Sequence, residues 1–203
     1  MSATTRAGPL DRDDAHEGRA QAAVNLEGRT ALETVIPLST PFIVFADPAS
    51  SCNFKCTFCP TGRRYQGVMK FDVFRKIIDD LAEFDKPIKV LRMYKDGEPF
   101  LNKRLADMIG YAKRSKHIEY IDTTTNGSLM SPERLGPVLE AGIDKINVSV
   151  DAMTPEDYMR FTGFKFDFRK FVQNIKLLYA NNGACEVAVK SPGELITQAQ
   201  RQE

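Results

Sequence analysis

Hydrophobic and polar positions follow two alternating periods from Ile43 onward. Short apolar or β-branched runs predict strands, and apolar positions three or four residues apart predict helices. The predicted strands are 43–46, 88–94, 118–125, 145–150 and 186–189. The predicted helices are 71–84, 101–112, 132–142, a turn from 154–155 and 168–182. The continuous run Ile43-Val44-Phe45-Ala46 further indicates a first strand buried on both faces.

Alternation of strands and helices in units of about 30 residues is typical of parallel crossover units. Both an open doubly wound sheet and part of a barrel fit this order. The fourth strand favours the barrel because Ile146 and Val148 alternate with Asn147 and Ser149. Such a strand turns an apolar face to helices and a polar face to a cavity. The sequence therefore predicts an α/β fold, a partial TIM-like (β/α) barrel with about five parallel units.

Three regions are expected along the chain. Residues 1–38 mix charges of both signs with Gly and Pro, which indicates a disordered N-terminal segment, although an Ala-rich helix over 19–32 is an alternative. Residues 39–190 form the predicted partial barrel, and residues 191–203 form a polar tail.

The composition excludes several classes of partner. Lys and Arg number 28 against 27 Asp and Glu, so the net charge indicates neither nucleic acid nor an anionic membrane as a partner. No apolar run reaches the roughly 18–20 residues that span a bilayer, and the N-terminus lacks a secretory signal pattern. A cytoplasmic protein is expected.

Three of the four cysteines lie in one short loop directly after the first predicted strand. Cys52, Cys56 and Cys59 have the spacing C-x3-C-x2-C, and three neighbouring thiolates suit a soft metal. A structural zinc would need a fourth ligand from far away, namely Cys185, His16 or His117. A cubane iron–sulfur cluster usually has four cysteine ligands, so three would leave one iron open for a substrate or cofactor.

This loop, with an aromatic residue before its last cysteine, resembles the cluster loop of the radical S-adenosylmethionine (radical SAM) superfamily. The resemblance implies a [4Fe–4S] cluster on Cys52, Cys56 and Cys59, with S-adenosylmethionine chelating the fourth iron through its amino and carboxylate groups. It also implies that Phe58 lies near the adenine. Taken without the resemblance, Phe58 is expected to be a buried core aromatic.

Segments after the second and third predicted strands, and Ser149 and Asp151 at the fourth, extend the resemblance over residues 40–190. Lys95-Asp96-Gly97-Glu98-Pro99 is similar to the family's Gly-Gly-Glu-Pro segment, with Asp96 in place of the first glycine. Thr123 to Gly127 ends in the family's Thr-Asn-Gly, although Asn-Gly is also an ordinary turn. The resemblance implies a set of residues that contact S-adenosylmethionine: Gly97, Glu98, Pro99, Thr125, Asn126, Ser149 and Asp151.

The resemblance implies an enzyme that reductively cleaves S-adenosylmethionine to a 5′-deoxyadenosyl radical, which abstracts hydrogen from a substrate. A flavodoxin or ferredoxin is the expected electron donor, and the substrate is an unidentified small molecule or peptide. The family's barrel usually has six units, whereas five are predicted here, so a truncated product is expected. A non-catalytic cluster-binding fragment that needs a partner, or a structural zinc protein, is the alternative.

Overall fold

Five parallel strands form one sheet in the computed structural model, which describes residues 34, 36–59, 66–165 and 167–191. The strands are β1 Ile43–Phe45, β2 Ile88–Arg92, β3 Ile118–Thr125, β4 Lys145–Ser149 and β5 Glu186–Lys190. The helices are α1 Phe71–Asp80, α2 Leu105–Ser115, α3 Pro132–Glu140, α4 Pro155–Thr162 and α5 Phe168–Asn181. Two 3-10 turns, Leu81–Glu83 and Pro99–Leu101, complete the described elements.

The strand order in the sheet is the same as the order along the chain, β1-β2-β3-β4-β5. A doubly wound sheet would reverse its order at a switch point, whereas a barrel continues in one direction. The partial TIM-like α/β fold predicted from the sequence is therefore confirmed.

Local sequence explains where the later helices begin. Thr154 and Asp167 are N-caps whose side chains accept hydrogen bonds from the backbone N–H groups of Asp157 and Lys170. Ser131 occupies the N-cap position of α3, as predicted, but its side chain accepts no capping hydrogen bond. There Pro132 at the first helical position fixes a helical φ instead.

The core lies between the sheet and the helices. Strand residues with fully buried side chains, Leu91, Ile121, Ile146 and Val148, belong to this core. The opposite face of the strands carries several polar or charged residues: Arg92, Asp122, Lys145, Asn147 and Ser149. The polar face predicted for the fourth strand is thus present, and Arg92 of β2 and Asp122 of β3 lie on the same face of the sheet.

The first strand differs from its prediction. Its residues Ile43 and Phe45 are 42% and 49% exposed, because β1 is an edge strand of the described sheet. An apolar run alone does not separate a central strand from an edge strand, so the prediction of burial on both faces was wrong.

The predicted N-terminal disorder, its helical alternative and the polar tail fall largely outside the described residues. All elements named above lie within Pro37–Gln202. No helix in the described part of the chain has the length and apolar character to cross a membrane.

Candidate metal and cofactor site at the carboxyl ends of the strands

The three clustered cysteines lie in the loop that leaves β1 at its carboxyl end. All three are free thiols with partly buried side chains. The backbone N–H of Cys59 donates to the carbonyl of Cys56 at 3.1 Å, which closes a turn between the second and third thiol. This edge of a parallel β/α sheet is where ligands bind in such folds.

Helix α4 holds the middle of this cysteine loop, residues 51–59. The N–H groups of Lys55 and Thr57 donate to the carbonyl oxygens of Thr162 and Phe161, at 2.7 and 2.9 Å. These are carbonyls of the last turn of α4, which have no partner within the helix. The loop therefore completes the carboxyl end of α4, and the helix fixes the backbone beside the thiols.

The segment after β2 holds the beginning of the cysteine loop. Glu98 N–H donates to the carbonyl of Ser51 at 2.9 Å. A Cβ atom at Gly97 would collide with the carbonyl oxygens of Ala49 and Ser51 and would lie 2.7 Å from the carbonyl carbon of Ser50. Only glycine permits this close approach of two backbones. The backbone that lies against Gly97 is that of the cysteine loop and the residues just before it.

Glu98 is 1% exposed, and its carboxylate accepts hydrogen bonds from three groups of the protein. Its Oε1 accepts from Phe100 N at 3.0 Å and from Thr125 Oγ1 at 2.6 Å, and its Oε2 accepts from Asn126 N at 2.8 Å. Burial raises the pKa of Glu98, and these three donors act in the opposite direction. Glu98 thus joins the ends of β2 and β3 through its side chain.

Asn126 connects this junction to the cysteines. Its Nδ2 donates to Asn53 Oδ1 at 3.0 Å and lies 3.8 Å from Cys52 Sγ. Its Oδ1 accepts from Ser128 Oγ at 2.7 Å, and Asn53 Nδ2 donates to the same hydroxyl at 2.9 Å. Sequence reasoning missed Asn53 and Ser128; their position beside Cys52 and beside the Asn-Gly turn was the only signal.

Asp151 and the other expected contact residues surround the same strand ends. Asp151 is 5% exposed, its N–H donates to Tyr158 Oη at 3.1 Å, and burial raises its pKa. Pro99 is buried at the start of the 3-10 turn, and Ser149 is half-buried at the end of β4. Phe58 is 49% exposed, which excludes the buried core aromatic considered above.

Burial and neighbouring negative charge both disfavour the thiolate form of Cys52 and Cys56. Burial raises the pKa of Cys56 to about 12, and negative charge at Asp151, Cys52 and Cys59 acts in the same direction. Burial also raises the pKa of Cys52. A metal that binds these sulfurs must displace their protons and supply the compensating positive charge.

The donor set fits a cubane cluster better than a single ion. Among the described residues, no three His, Cys, Asp or Glu side chains are arranged to hold one metal ion. In a cubane each thiolate binds a different iron, so the sulfurs can lie farther apart than they would around a single metal ion. His117 precedes β3 and Cys185 precedes β5, so both lie at the opposite end of the strands from the cysteine loop. His16 lies outside the described residues, and a structural zinc gains no support.

Comparison with known proteins agrees with this donor set. Residues 48–194 match the family model described as Radical SAM superfamily. A GTP 3',8-cyclase of Vibrio vulnificus (strain YJ016) is 34% identical over 118 residues, 55% of this chain and 34% of its own length. A probable GTP 3',8-cyclase of Methanococcus maripaludis is 36% identical over 116 residues, 55% of this chain and 37% of its own length. The chain spans about a third of the length of these curated relatives.

Solved structures share the fold. SuiB of Streptococcus suis, bound to precursor peptide SuiA, superposes with a TM-score of 0.61 at 18% identity, over 79% of this chain and 35% of that chain. BtrN in complex with AdoMet and 2-DOIA superposes with a TM-score of 0.58 at 22% identity, over 76% of this chain and 58% of that chain. The likeness extends over three quarters of the chain and supports the partial barrel.

Proposed function

The chain belongs to the radical SAM superfamily, and on that premise we propose that it forms the core of an enzyme that reductively cleaves S-adenosylmethionine. Cys52, Cys56 and Cys59 would hold a [4Fe–4S] cluster, and S-adenosylmethionine would take the remaining position. Bound together, these cofactors supply a 5′-deoxyadenosyl radical that removes hydrogen from a substrate carbon. The observation that carries the proposal is one short loop, at the carboxyl end of β1, that holds three free and partly buried thiols.

The chain's own residues have two roles in this proposal, and Gly97 takes part in both. Gly97, Glu98 and Asn126 bind parts of the protein to one another, so their role is to position the cysteine loop against the ends of β2 and β3. The residues proposed to surround S-adenosylmethionine are Phe58, Gly97, Pro99, Thr125, Ser149 and Asp151. Among them, Asp151 has a buried carboxylate, whose negative charge would bind the ammonium group of S-adenosylmethionine.

The proposed substrate is GTP. The support is the identity of 34–36% to proteins named GTP 3',8-cyclase, which is retained over more than half of this chain. A flavodoxin or ferredoxin is the proposed electron donor, since a low-potential one-electron carrier suits reduction of a sulfonium.

Anaerobic reconstitution with iron and sulfide, followed by dithionite and S-adenosylmethionine, tests the cleavage step. The wild-type protein is expected to bind iron and release 5′-deoxyadenosine. The variant Cys56→Ala is expected to lose both, whereas Cys185→Ala, at the opposite edge of the sheet, should lose neither. Wild-type protein that holds a complete cluster and produces no 5′-deoxyadenosine would establish the non-catalytic fragment instead.

A second assay tests the substrate. GTP deuterated on its ribose carbons is expected to transfer deuterium into 5′-deoxyadenosine, and equally deuterated ATP should transfer less. Cleavage of S-adenosylmethionine without deuterium transfer from either nucleotide would retain the enzyme and reject GTP.

A further inference from the structure

The polar face of the sheet carries a charge cluster that the cofactor site does not use. Arg92 on β2 pairs in register with Asp122 on β3, and Thr124 lies two residues further on the same face. Lys190 on β5 approaches from across β4, with its Nζ 3.4 Å from Thr124 Oγ1. Arg92 and Lys190 are the last residues of β2 and β5, so this cluster lies at the carboxyl-terminal half of the sheet.

The two opposite charges at the centre of this cluster, Arg92 and Asp122, form no hydrogen bond with each other. The shortest approach between Arg92 and Asp122 is 3.6 Å, from Nε to Oδ2, which is too long for a hydrogen bond. Arg92 Nε and Asp122 Oδ1 are both buried and have no hydrogen-bond partner among the described residues. Asp122 is 7% exposed. Buried polar atoms of folded proteins are nearly always paired, so a donor and an acceptor here await a ligand or water.

The cluster also has an excess of positive charge. Lys145, the other cation beside Asp122, is already bound to Glu186 at 2.5 Å. Lys190 has no such partner among the described residues and lies over the Tyr94 ring, with its Nζ 5.6 Å from the centroid. Arg92 and Lys190 therefore share one carboxylate, Asp122. Burial lowers the pKa of Lys190, and the charge of Asp122 opposes that shift.

We propose that Arg92 and Lys190 bind a phosphate group of the substrate and that Asp122 accepts a hydrogen bond from a hydroxyl or N–H of the same molecule. This subsite rests on the proposed function and assigns the residues of this chain that would hold the phosphorylated, hydrogen-bond-donating substrate. A guanidinium presents a planar fork of donors that suits phosphate oxygens, and a second cation completes the charge balance. The unpaired Oδ1 of Asp122 requires a donor, which a hydroxyl or N–H of a nucleotide's sugar or base would supply.

Binding to the reconstituted protein, measured anaerobically by calorimetry with S-adenosylmethionine present, tests the subsite. The probes are GTP, guanosine and inorganic tripolyphosphate. Arg92→Gln and Lys190→Gln should each weaken GTP binding about tenfold or more, since a hydrogen bond to a charged group is lost, and should leave guanosine binding unchanged. Lys89→Gln removes a cation from the opposite face of β2 and should bind GTP as the wild type does.

The variant Asp122→Asn separates the two halves of the subsite. Removal of its negative charge should strengthen tripolyphosphate binding and weaken GTP binding. Wild-type protein that binds neither GTP nor tripolyphosphate, or an Arg92→Gln variant with unchanged GTP affinity, would overturn the subsite.

Cleavage of S-adenosylmethionine in the absence of GTP gives the independent readout of the proposed function. Lys89→Gln should retain it at the wild-type level, because Lys89 lies on the opposite face of β2 from Arg92. If the wild type binds GTP through Arg92 and Lys190 and yet releases no 5′-deoxyadenosine, the proposed function fails while the subsite remains.

Discussion

Gly97 and Glu98 are neighbours in the chain and serve the site by opposite means. Gly97 contributes the absence of a side chain, which lets the turn after β2 lie against the backbone of Ala49 to Ser51. Glu98 contributes a buried carboxylate that gathers donors from two later segments. Gly97 thus lets the turn after β2 contact the cysteine loop, and Glu98 bonds the same turn to the end of β3.

Gly97→Ala is expected to displace the cysteine loop. Its new Cβ would meet backbone atoms that cannot rotate away, and overpacking of this kind costs about 1–3 kcal/mol in the free energy of unfolding. Urea denaturation of the apoprotein and iron content after reconstitution measure the two effects. We expect lower values of both.

Gly136→Ala provides the matched control for this change. A Cβ at Gly136 meets no atom within 4 Å, and the residue lies inside α3. Alanine there should raise the free energy of unfolding by about 0.5–1 kcal/mol and leave iron content unchanged. Equal iron content in the two variants would show that Gly97 does not position the cysteine loop.

The sequence indicated which residues form this site better than it indicated their partners. The cysteine spacing and the Gly-Glu-Pro segment are local patterns, so the metal ligands and Glu98 could be named in advance. The bonds of Glu98 to Thr125 and of Asn126 to Asn53 join positions 27 and 73 residues apart. Only the folded strand order brings these residues together, and for that reason Asn53 and Ser128 were not predicted.

At the scale of elements, α4 fixes the position of the middle of the cysteine loop. Its last carbonyls accept from Lys55 and Thr57, and Phe54 from the same loop is 3% exposed. The ring of Phe54 packs against Tyr158 of α4, with centroids 6.5 Å apart. A helix of eight residues has little stability of its own. A substitution that destabilises the start of α4 should therefore also loosen the loop that is bonded to its end.

Thr154→Ala, which removes the N-cap of α4, tests this dependence. Loss of the cap should lower the free energy of unfolding by about 1 kcal/mol and speed the release of iron to a chelator. Asp167→Ala removes the N-cap of α5, whose carboxyl end leads to β5 instead of the cysteine loop. Asp167→Ala should lower the free energy of unfolding by a similar amount without faster iron release. Equal release rates from the two variants would show that α4 does not hold the cysteine loop.

The elements themselves were well predicted because their signals are local. Strand β3 and helix α3 begin at the predicted residues, since a β-branched run and a Ser-Pro start need no tertiary context. The exposure of β1 could not be predicted in this way. It depends on which strands lie beside it, and that is a property of the whole sheet.

At the scale of the molecule, the order of units along the chain sets where chemistry can occur. Each crossover returns the chain to the same edge of the sheet, so loops after β1, β2, β3 and β4 meet there. The cysteine loop, Glu98, Asn126 and Asp151 come from these four successive loops. Cofactor binding to one loop should therefore stabilise the others through the hydrogen bonds that join them.

Hydrogen exchange before and after anaerobic cluster loading tests this coupling. We expect slower amide exchange in four segments on loading: 51–59, 97–101, 125–128 and 161–163. The reason is that the N–H groups of Glu98, Asn126 and Lys55 already bond across these segments, and binding to the folded form raises the free energy of their opening. The turn 182–185 at the opposite edge should exchange at an unchanged rate. Slower exchange confined to 51–59 would mean that the loops act independently and that Glu98 and Asn126 do not transmit the effect.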